Sequence, residues 1–422
     1  MPQDPLHVLW IEPGFPGRLG GVADWLTRRR GYRSTFYANS VDPREGGRWP
    51  ESMGQGLTLQ TFNVGGVARD ASVTWSQAFE RSLCYAYGCG EVLQQKMPRP
   101  VDLIVGRSAG LGSSLFTSYY YPGIPVVNLL DYYWHAHAND LADDIGRSQP
   151  PAYSHWRRSA NAIELLDLEH ANLAWTHSEW QRSLFPNEYQ ADFFVEPDGV
   201  DTRRFAVSSW HSTRTGPRTI AGRTIPDSTR VVSFVAQSLE RLRGFDRFWK
   251  LAGAITRSHP DVLFVAIGGS VTQRGLDVEY HGRELIPDLI AREPLADPDR
   301  LWRMGATSTA GVRELLAASD LHLAPSRVYP AARSLFQALS SGCTVIASDT
   351  PPHREVLTDG VNGFLVEGDD LDGWIRRIET ILDDPAASRP IGDSAARLAR
   401  ERFSHEVCLA RLAERFNALV LG

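Results

Sequence analysis

Short apolar runs, each followed by a stretch with apolar positions at three- and four-residue intervals, fill most of this chain. Residues 6–11 read as a buried strand, followed by a Gly/Pro loop at 13–21 and an amphipathic helix over 22–30. Residues 102–105, 125–130 and 172–176 read as further strands. Between the last two, residues 157–170 carry a helical pattern with Ala162, Leu165, Leu166 and Leu168 on its apolar side. Ser178 and Gln181 have the spacing of a capping box, in which Ser178 caps and Gln181 reaches back.

The alternation is clearer in the second half. Residues 231–236, 262–267, 320–324 and 343–347 are strand-like. Phe245, Phe248, Ala252 and Ile255 mark one helical face, and helices are expected over 312–318, 333–341, 371–382 and the last thirty or so residues. Gly342 is placed to end the helix before it, and Gly268–Gly269 closes its strand. Strand–helix alternation with apolar strands means a parallel sheet covered on both faces. Residues 206–228 are rich in Ser, Thr, Arg, Gly and Pro, lack apolar periodicity, and read as a linker or exposed loop. The expected organisation is therefore an α/β chain with an N-terminal Rossmann-like domain over 1–205, a linker at 206–228 and a second such domain over 229–403. A C-terminal helix over 404–422 packs back on the first domain. Ligands of such sheets bind at the carboxyl ends of strands.

Composition narrows the function. The chain has 422 residues, 42% hydrophobic and 22% charged, enough for two packed cores. Its net charge of −6 argues against a nucleic-acid protein, whose binding surface is usually basic. Lysine occurs only at Lys96 and Lys250, so phosphate contacts must fall mainly to arginine, which favours bidentate geometry. Cys84, Cys89, Cys343 and Cys408 show no metal-binding spacing, and a reducing cytoplasm is expected. The start of the chain reads as a strand and not a signal peptide. No run approaches the length that spans a bilayer.

The segment 318–366, ASDLHLAPSRVYPAARSLFQALSSGCTVIASDTPPHREVLTDGVNGFLV, resembles the donor-binding half of retaining glycosyltransferase family 4, which has the GT-B fold. The run LERLRGFDRF at 239–248 is similar to that family's strand-end loop, and EPDGVDTRRF at 196–205 to its crossing between domains. GFPGRLGGVADWL at 14–26 and the stretch 157–186 resemble a subgroup common in polysaccharide gene clusters. The resemblance covers nearly the whole chain. It implies two facing Rossmann-like doubly wound domains with a cleft between them, and a hexosyltransferase dependent on a nucleotide sugar.

Breaking a nucleotide–sugar bond loads negative charge onto a diphosphate, which the protein must stabilise. Arg243, before Gly244 and a helix, is the leading candidate cation. The helix from Arg333, with Ser334, offers N–H groups at its start. Gly20 and Gly21 would let the N-terminal backbone approach the same phosphates, and Gly268 and Gly269 would touch the nucleotide. The chain departs from the family at the two glutamates that flank the donor helix, where Tyr329 and Gln337 stand. The second of these glutamates holds the ribose in the family. A neutral partner at Gln337 costs about 1–2 kcal/mol, roughly a tenfold loss of affinity. A family arginine is also replaced by neutral Gln237 beside Ser238, and either Arg327 or Arg333 can substitute for it. The mechanism implied needs no protein nucleophile, because the departing phosphate takes the acceptor's proton on the same face.

On the acceptor side, Asp131, Tyr132, Tyr133, Trp134, His135 and His137 follow a strand. Their aromatics can stack on sugar faces, and Asp131 and His135 can meet acceptor hydroxyls. Gly110 and Gly112 would line the acceptor cleft or form a turn. No metal or other cofactor is expected, and Asp297, Asp299, Asp369 and Asp370 read as connecting segments. Arg28, Arg29, Arg30 and Arg33 suit a helix C-terminus and would also suit anionic lipid, so peripheral contact with the inner face of the membrane fits the sequence. The expected partners are a nucleotide-sugar donor and a glycan, lipid-linked or small-molecule acceptor. The sequence leaves the donor's base and sugar and the oligomeric state open. Two alternatives stand beside this reading. One is a catalytically inactive GT-B relative that binds a partner or a glycan, motivated by the neutral Gln237 and Gln337. The other is a GT-B enzyme such as a nucleotide-sugar epimerase.

Overall fold

The computed structural model describes residues 5–42, 53–66, 77–96, 98, 100–108, 114–135, 151–207, 218–270 and 285–422. His137, Gly110, Gly112 and residues 208–217 of the 206–228 segment lie outside these. The chain divides into two compact units. The first combines Met1–Ala138, Ile145–Asp198 and His405–Gly422, and the second is built on Gly199–Ser404.

In the first unit, β1 (His7–Ile11) is wholly buried and, after His7, apolar, as a strand must be when both faces of its sheet are covered. A short pair, β2 (Gly14–Phe15) and β4 (Ser40–Val41), flanks β3 (Arg33–Ala38). These are followed by β5 (Leu57–Thr61), β6 (Leu103–Arg107), β7 (Val126–Leu129), β8 (Leu173–Thr176) and β9 (Phe193–Val195). Seven strands form one parallel sheet in the order β5-β3-β1-β6-β7-β8-β9. The chain therefore winds away from β1 in one direction and from β6 in the other. The helix His405–Leu421 belongs to this unit. Its Leu409, Leu412, Ala413 and Phe416 join the core of Val8, Trp10, Leu26 and Trp175. Tyr32 fastens it further by donating to Asn417 Oδ1 at 2.9 Å.

The second unit opens with a hairpin, β10 (Arg218–Ile220) and β11 (Arg223–Ile225), inside the segment expected to be a linker. Its two isoleucines are buried against Leu315 and Ala318, a contact too short to show as periodicity. The main sheet comprises β12 (Arg230–Ser238), β13 (Val262–Gly269), β14 (Leu301–Gly305), β15 (Leu321–Ala324), β16 (Thr344–Ser348) and β17 (Phe364–Val366). All are parallel, in the order β14-β13-β12-β15-β16-β17. The helix Phe245–Ser258 buries the predicted face, Phe245, Phe248, Ala252 and Ile255, against this sheet. Gly342 follows the helix Arg333–Ser340 with φ +77° and donates its N–H to Leu339, a left-handed position that suits glycine. No helix among the described residues is long and apolar enough to cross a membrane.

Two sequence expectations need correction. The helix Pro151–His170 turns Asn161, Ile163, Glu164, Asp167 and Leu168 inward, while Leu166 is 40% exposed. The buried polar residues shift the true inner face away from the purely apolar count. Ser178 does cap, accepting the Gln181 N–H at 3.1 Å, but the Gln181 side chain takes the Ser178 hydroxyl at 3.1 Å and does not reach the backbone N–H.

Phe416 is fully buried, with Trp10 and Trp175 at 6.2 and 6.5 Å between ring centroids. Phe416→Ala is expected to cost about 3–5 kcal/mol, read as a lower midpoint of urea unfolding. An unchanged midpoint would remove the C-terminal helix from the first unit's core. Burial also raises the Asp167 carboxyl to about 7, against the opposing pull of the Ser108 and Ser114 hydroxyls. The folded state then holds an extra proton between about pH 4 and pH 7, so this group's contribution to stability falls as pH rises through that window. Asp167→Asn should match the parent at about pH 5 and exceed its stability by at least about 1 kcal/mol near pH 8. Parallel pH profiles for the two proteins would contradict this.

Candidate functional site

Beside the first strand of a doubly wound sheet, neighbouring connections leave in opposite directions and open a crevice at the carboxyl ends. In the second unit that place lies between β12 and β15. A pocket sits there, lined by Phe234, Val235 and Ala236 from β12 and by His322, Leu323 and Ala324 from β15. Arg243, Ser326, Ser334 and His353 complete its polar lining. The space is about 300 Å³ and opens to solvent.

Arg243 reaches the pocket through a tight turn. Gly244 has φ +80°, and a Cβ there would lie 1.9 Å from the Pro325 carbonyl oxygen, so only glycine lets the turn press on the loop 325–330. Arg327 fixes the same junction from the other side. Its Nη1 and Nη2 donate to Asp246 at 2.9 and 2.7 Å, its Nη1 also to the Arg241 carbonyl, and its backbone N–H to Leu242. Burial opposes charge on Asp246, yet Arg327 prevails and lowers its pKa. Arg327 thus holds the turn, which corrects its expected place as a substitute phosphate cation. Arg243 donates to the Pro330 carbonyl at 3.0 Å and lies 4.7 Å above the Tyr329 ring. Tyr329, at one of the two positions where a glutamate is expected, is buried and carries this arginine on its face.

The helix Arg333–Ser340 begins at Ala332 with no side-chain cap, and the start of a helix is where backbone N–H groups can meet an anion. Ser334 Oγ donates to the Val235 carbonyl at 2.7 Å and ties that end to β12. Arg333 is exposed, and Gln337, one turn further on, is half-buried. Gln237 is exposed where the β12–β13 register shifts, between Val235 and Ser238. The two glycines of β13 have a packing task. A methyl on Gly268 would meet Leu239 at 2.7 Å, and the Gly269 carbonyl accepts the Leu239 N–H at 2.9 Å.

The sequence reading passed over two histidines in this pocket. His322 shares its Nδ1 with Ser233 Oγ at 3.0 Å, and burial lowers its pKa to about 3. His353 donates from Nδ1 to the Ser348 carbonyl at 2.8 Å. The available signal was polar residues set in apolar strand and strand-end context, His322 within LHLA and His353 just after β16.

In the first unit the corresponding place, between β1 and β6, is occupied by charge. Glu12, just past β1, accepts the backbone N–H groups of Arg18 and Leu19 at 2.9 and 2.8 Å. It therefore caps the helix Leu19–Arg30 from outside. Gly17, with φ +54°, leaves room for it, since a Cβ there would touch the Glu12 carboxylate at 2.3 Å. Gly20 and Gly21 accordingly lie inside that helix and not in the loop before it. The Gly20 N–H, expected to approach phosphate, is given to the Pro16 carbonyl at 2.7 Å. Gly20 packs tightly, with a Cβ 2.8 Å from Pro16, whereas Gly21 faces open space.

Arg107, ending β6, bridges Glu12 at 2.6 Å and Asp131 at 2.6 Å. Arg18 and His177 stand 3.9 and 3.8 Å from Asp131. Burial would raise the Asp131 pKa, but Arg107, Arg18 and His177 together hold it well below the usual carboxylate range. Asp131 is thus an ionised acceptor at any physiological pH. Its Oδ1 makes no hydrogen bond. His135 is exposed and donates from Nε2 to the Leu184 carbonyl at 2.6 Å. Gln181 and Asn161 hold the segment between them through the backbone of Asp131 and Trp134. Tyr132, Tyr133 and Trp134 are buried, which corrects the expectation that they stack on sugar. Tyr121 is likewise buried, while Tyr119 is 81% exposed. Among the arginines at the end of the first helix, Arg28 pairs with Asp24 at 2.7 Å and Arg30 lies over Trp25.

Two family models match the chain. "Glycosyl transferase family 4 group" matches residues 45–205, and "Glycosyl transferases group 1" matches residues 218–398. A D-inositol 3-phosphate glycosyltransferase of Paenarthrobacter aurescens is 24% identical over 307 residues, 71% of this chain and 68% of that protein. The putative glycosyltransferase EpsD of Bacillus subtilis is 29% identical over 107 residues, 25% of this chain and 28% of that protein. The matches to EpsD and to a D-inositol 3-phosphate glycosyltransferase of Thermobispora bispora thus span less than half of those relatives, 28% and 46%. Among solved structures, sucrose-phosphate synthase of Thermosynechococcus elongatus superposes with a TM-score of 0.74 at 15% identity, covering 99% of each chain. Anabaena HepE, solved with UDP-glucose, gives 0.68 at 17% identity over 98% of this chain and 100% of that one. These likenesses carry the fold. With two doubly wound parallel sheets and family models matching both halves of the sequence, the chain belongs to the family 4 group of glycosyltransferases and has the GT-B fold.

Proposed function

We propose that this protein transfers a sugar from a nucleotide-sugar donor to a hydroxyl acceptor, with retention of anomeric configuration. The observation that carries the reading is the pocket at the β12–β15 switch point, where Arg243 and an uncapped helix start meet. A diphosphate needs both a fixed cation and oriented N–H donors, placed before the charge develops. Arg243 supplies the first. Arg333 and Ser334, at the start of their helix, supply the second. Gln337 lies one turn on, where a ribose would sit, and Gln237 is a neutral neighbour. The HepE structure with UDP-glucose makes UDP-glucose the first donor to try.

The chemistry follows from charge. As the glycosidic bond breaks, the sugar gains positive character and the diphosphate gains negative charge. Arg243 and the helix start lower the energy of that anion. The released phosphate oxygen then accepts the proton of the acceptor hydroxyl on the same face of the sugar, so no protein nucleophile is required. Asp131 stays ionised and its Oδ1 is without a hydrogen bond, so it is assigned to an acceptor hydroxyl, as is the exposed His135 four residues on. Glycans, lipid-linked sugars and small molecules are the acceptors to screen, in the polysaccharide-building context that the sequence suggests.

Arg243→Ala is expected to lower kcat/KM by about 10²–10³-fold, measured as donor turnover with the folded state checked by circular dichroism. Retention of full activity would remove Arg243 from the phosphate site. Gln337→Glu should tighten UDP binding by roughly tenfold, read by calorimetry. If affinity is unchanged, Gln337 does not meet the ribose.

A further inference from the structure

The donor pocket holds a basic group that the reading above leaves unused. His353 is fully buried, yet it lines the pocket together with Arg243, Ser326 and Ser334. Its Nδ1–H is committed to the Ser348 carbonyl at 2.8 Å, which fixes the tautomer and the ring orientation. Nε2 therefore carries the lone pair, and it lies 3.5 Å from Ser326 Oγ, itself a pocket residue. A basic nitrogen is thus held at the floor of the space assigned to the diphosphate.

The charges around His353 come from three directions. Burial is the main reason its pKa falls, to about 4, and Arg243 adds to the fall. The Ser348 carbonyl and Asp349 oppose it. Asp349 is itself shared with Arg354, at 2.5 Å. The other pocket histidine, His322, is neutral and bonded to Ser233. His353 is therefore neutral, because burial disfavours its charged form and Arg243 adds to that, and together they outweigh Ser348 and Asp349. A diphosphate reverses that balance, since an anion close to a buried imidazole favours its charged form. The need is specific to this chain. Position 237 offers a neutral glutamine, and Arg327 is held by Asp246.

We propose that His353 is the second cation of the diphosphate site, taking a proton from bulk solvent onto Nε2 as the donor binds and returning it when the nucleotide leaves. This rests on the donor reading above. Nδ1 keeps its bond to Ser348 throughout, so protonation needs no ring rotation. Protonation turns Nε2 from an acceptor into a donor aimed at phosphate oxygen, with Ser326 beside it. Linkage then sets the sign: affinity for the donor rises as pH falls through the pKa of the complex, by up to about tenfold per pH unit, and levels off near the pKa of the free protein.

The test is calorimetry with UDP-glucose, GDP-glucose and ADP-glucose, whose diphosphate diesters do not titrate near neutral pH. Each is run in two buffers of unlike ionisation enthalpy between about pH 5.5 and pH 8.5. The wild-type protein is expected to take up close to one proton per donor bound at the acid end and to lose that uptake as pH rises. His353→Asn keeps an N–H for the Ser348 carbonyl but has no basic nitrogen. It should show no uptake, with affinity about tenfold weaker near pH 6 and equal to wild type at high pH. Donor binding by wild type without proton uptake at any pH, or uptake that persists in His353→Asn, overturns the proposal and leaves the donor reading standing. If none of the three sugars binds, the donor reading falls and this proposal with it. Should that variant fail to fold, His353→Gln is read in the same way.

Discussion

The structure depends on one topological constraint. A parallel sheet wound outward in both directions leaves a gap beside its first strand, because the flanking connections diverge there. Something must occupy or line that gap, since the strand ends aim their backbone and first loop residues into it. The two units of this chain answer differently. In the first, Glu12, Arg107 and Asp131 fill the place with an ion-pair chain, and the nearby helix start is capped by the protein's own carboxylate. In the second, the place stays open, its floor made of histidines and its helix start uncapped. The same fold thus yields one switch point lined by paired charge and one that is a pocket.

Keeping the second place open requires buried charge to be used up elsewhere. Arg327 and Asp246 neutralise one another inside the turn that presents Arg243, and Arg241 does the same with Asp288. Such pairs contribute little net stability, but removing one partner strands the other in a poorly solvating interior. They therefore act as geometric ties. Tyr329 serves the same end by different physics: its ring face attracts the Arg243 guanidinium and steadies it without neutralising it. A carboxylate at that position would have paired with the arginine and reduced its pull on phosphate. The replacement of Glu by Tyr thus shifts the local field toward a more positive pocket, which fits a site that also lacks an arginine at position 237.

The candidate site was partly legible. Arg243 before Gly244, and the start of the Arg333 helix, could be found because each rests on a local rule: a glycine that permits a tight turn, and a helix whose start carries unsatisfied donors. Asp131 was found by its place after a strand, although its partners Arg107, Arg18 and His177 come from three other segments. Arg327 was misassigned because an arginine in a loop looks the same whether solvent or Asp246 receives it. The β10–β11 hairpin and the inward-facing Asn161, Glu164 and Asp167 were missed for a related reason. Their burial is set by what packs on them, and no period in the sequence records it.

The sequence by itself determined the alternation of apolar strands and amphipathic helices, and hence two doubly wound sheets, since a strand buried on both faces must be apolar along its whole length. It also determined the family, through ordered short motifs. Only the tertiary structure decided which charges are spent and which remain. That His353 and His322 are neutral and line a pocket, that Glu12 caps a helix beginning seven residues later, and that Arg243 rests on Tyr329 all depend on distances between segments far apart in the chain. Electrostatic energy depends on separation and on exclusion of water, and neither is a property of position along a sequence.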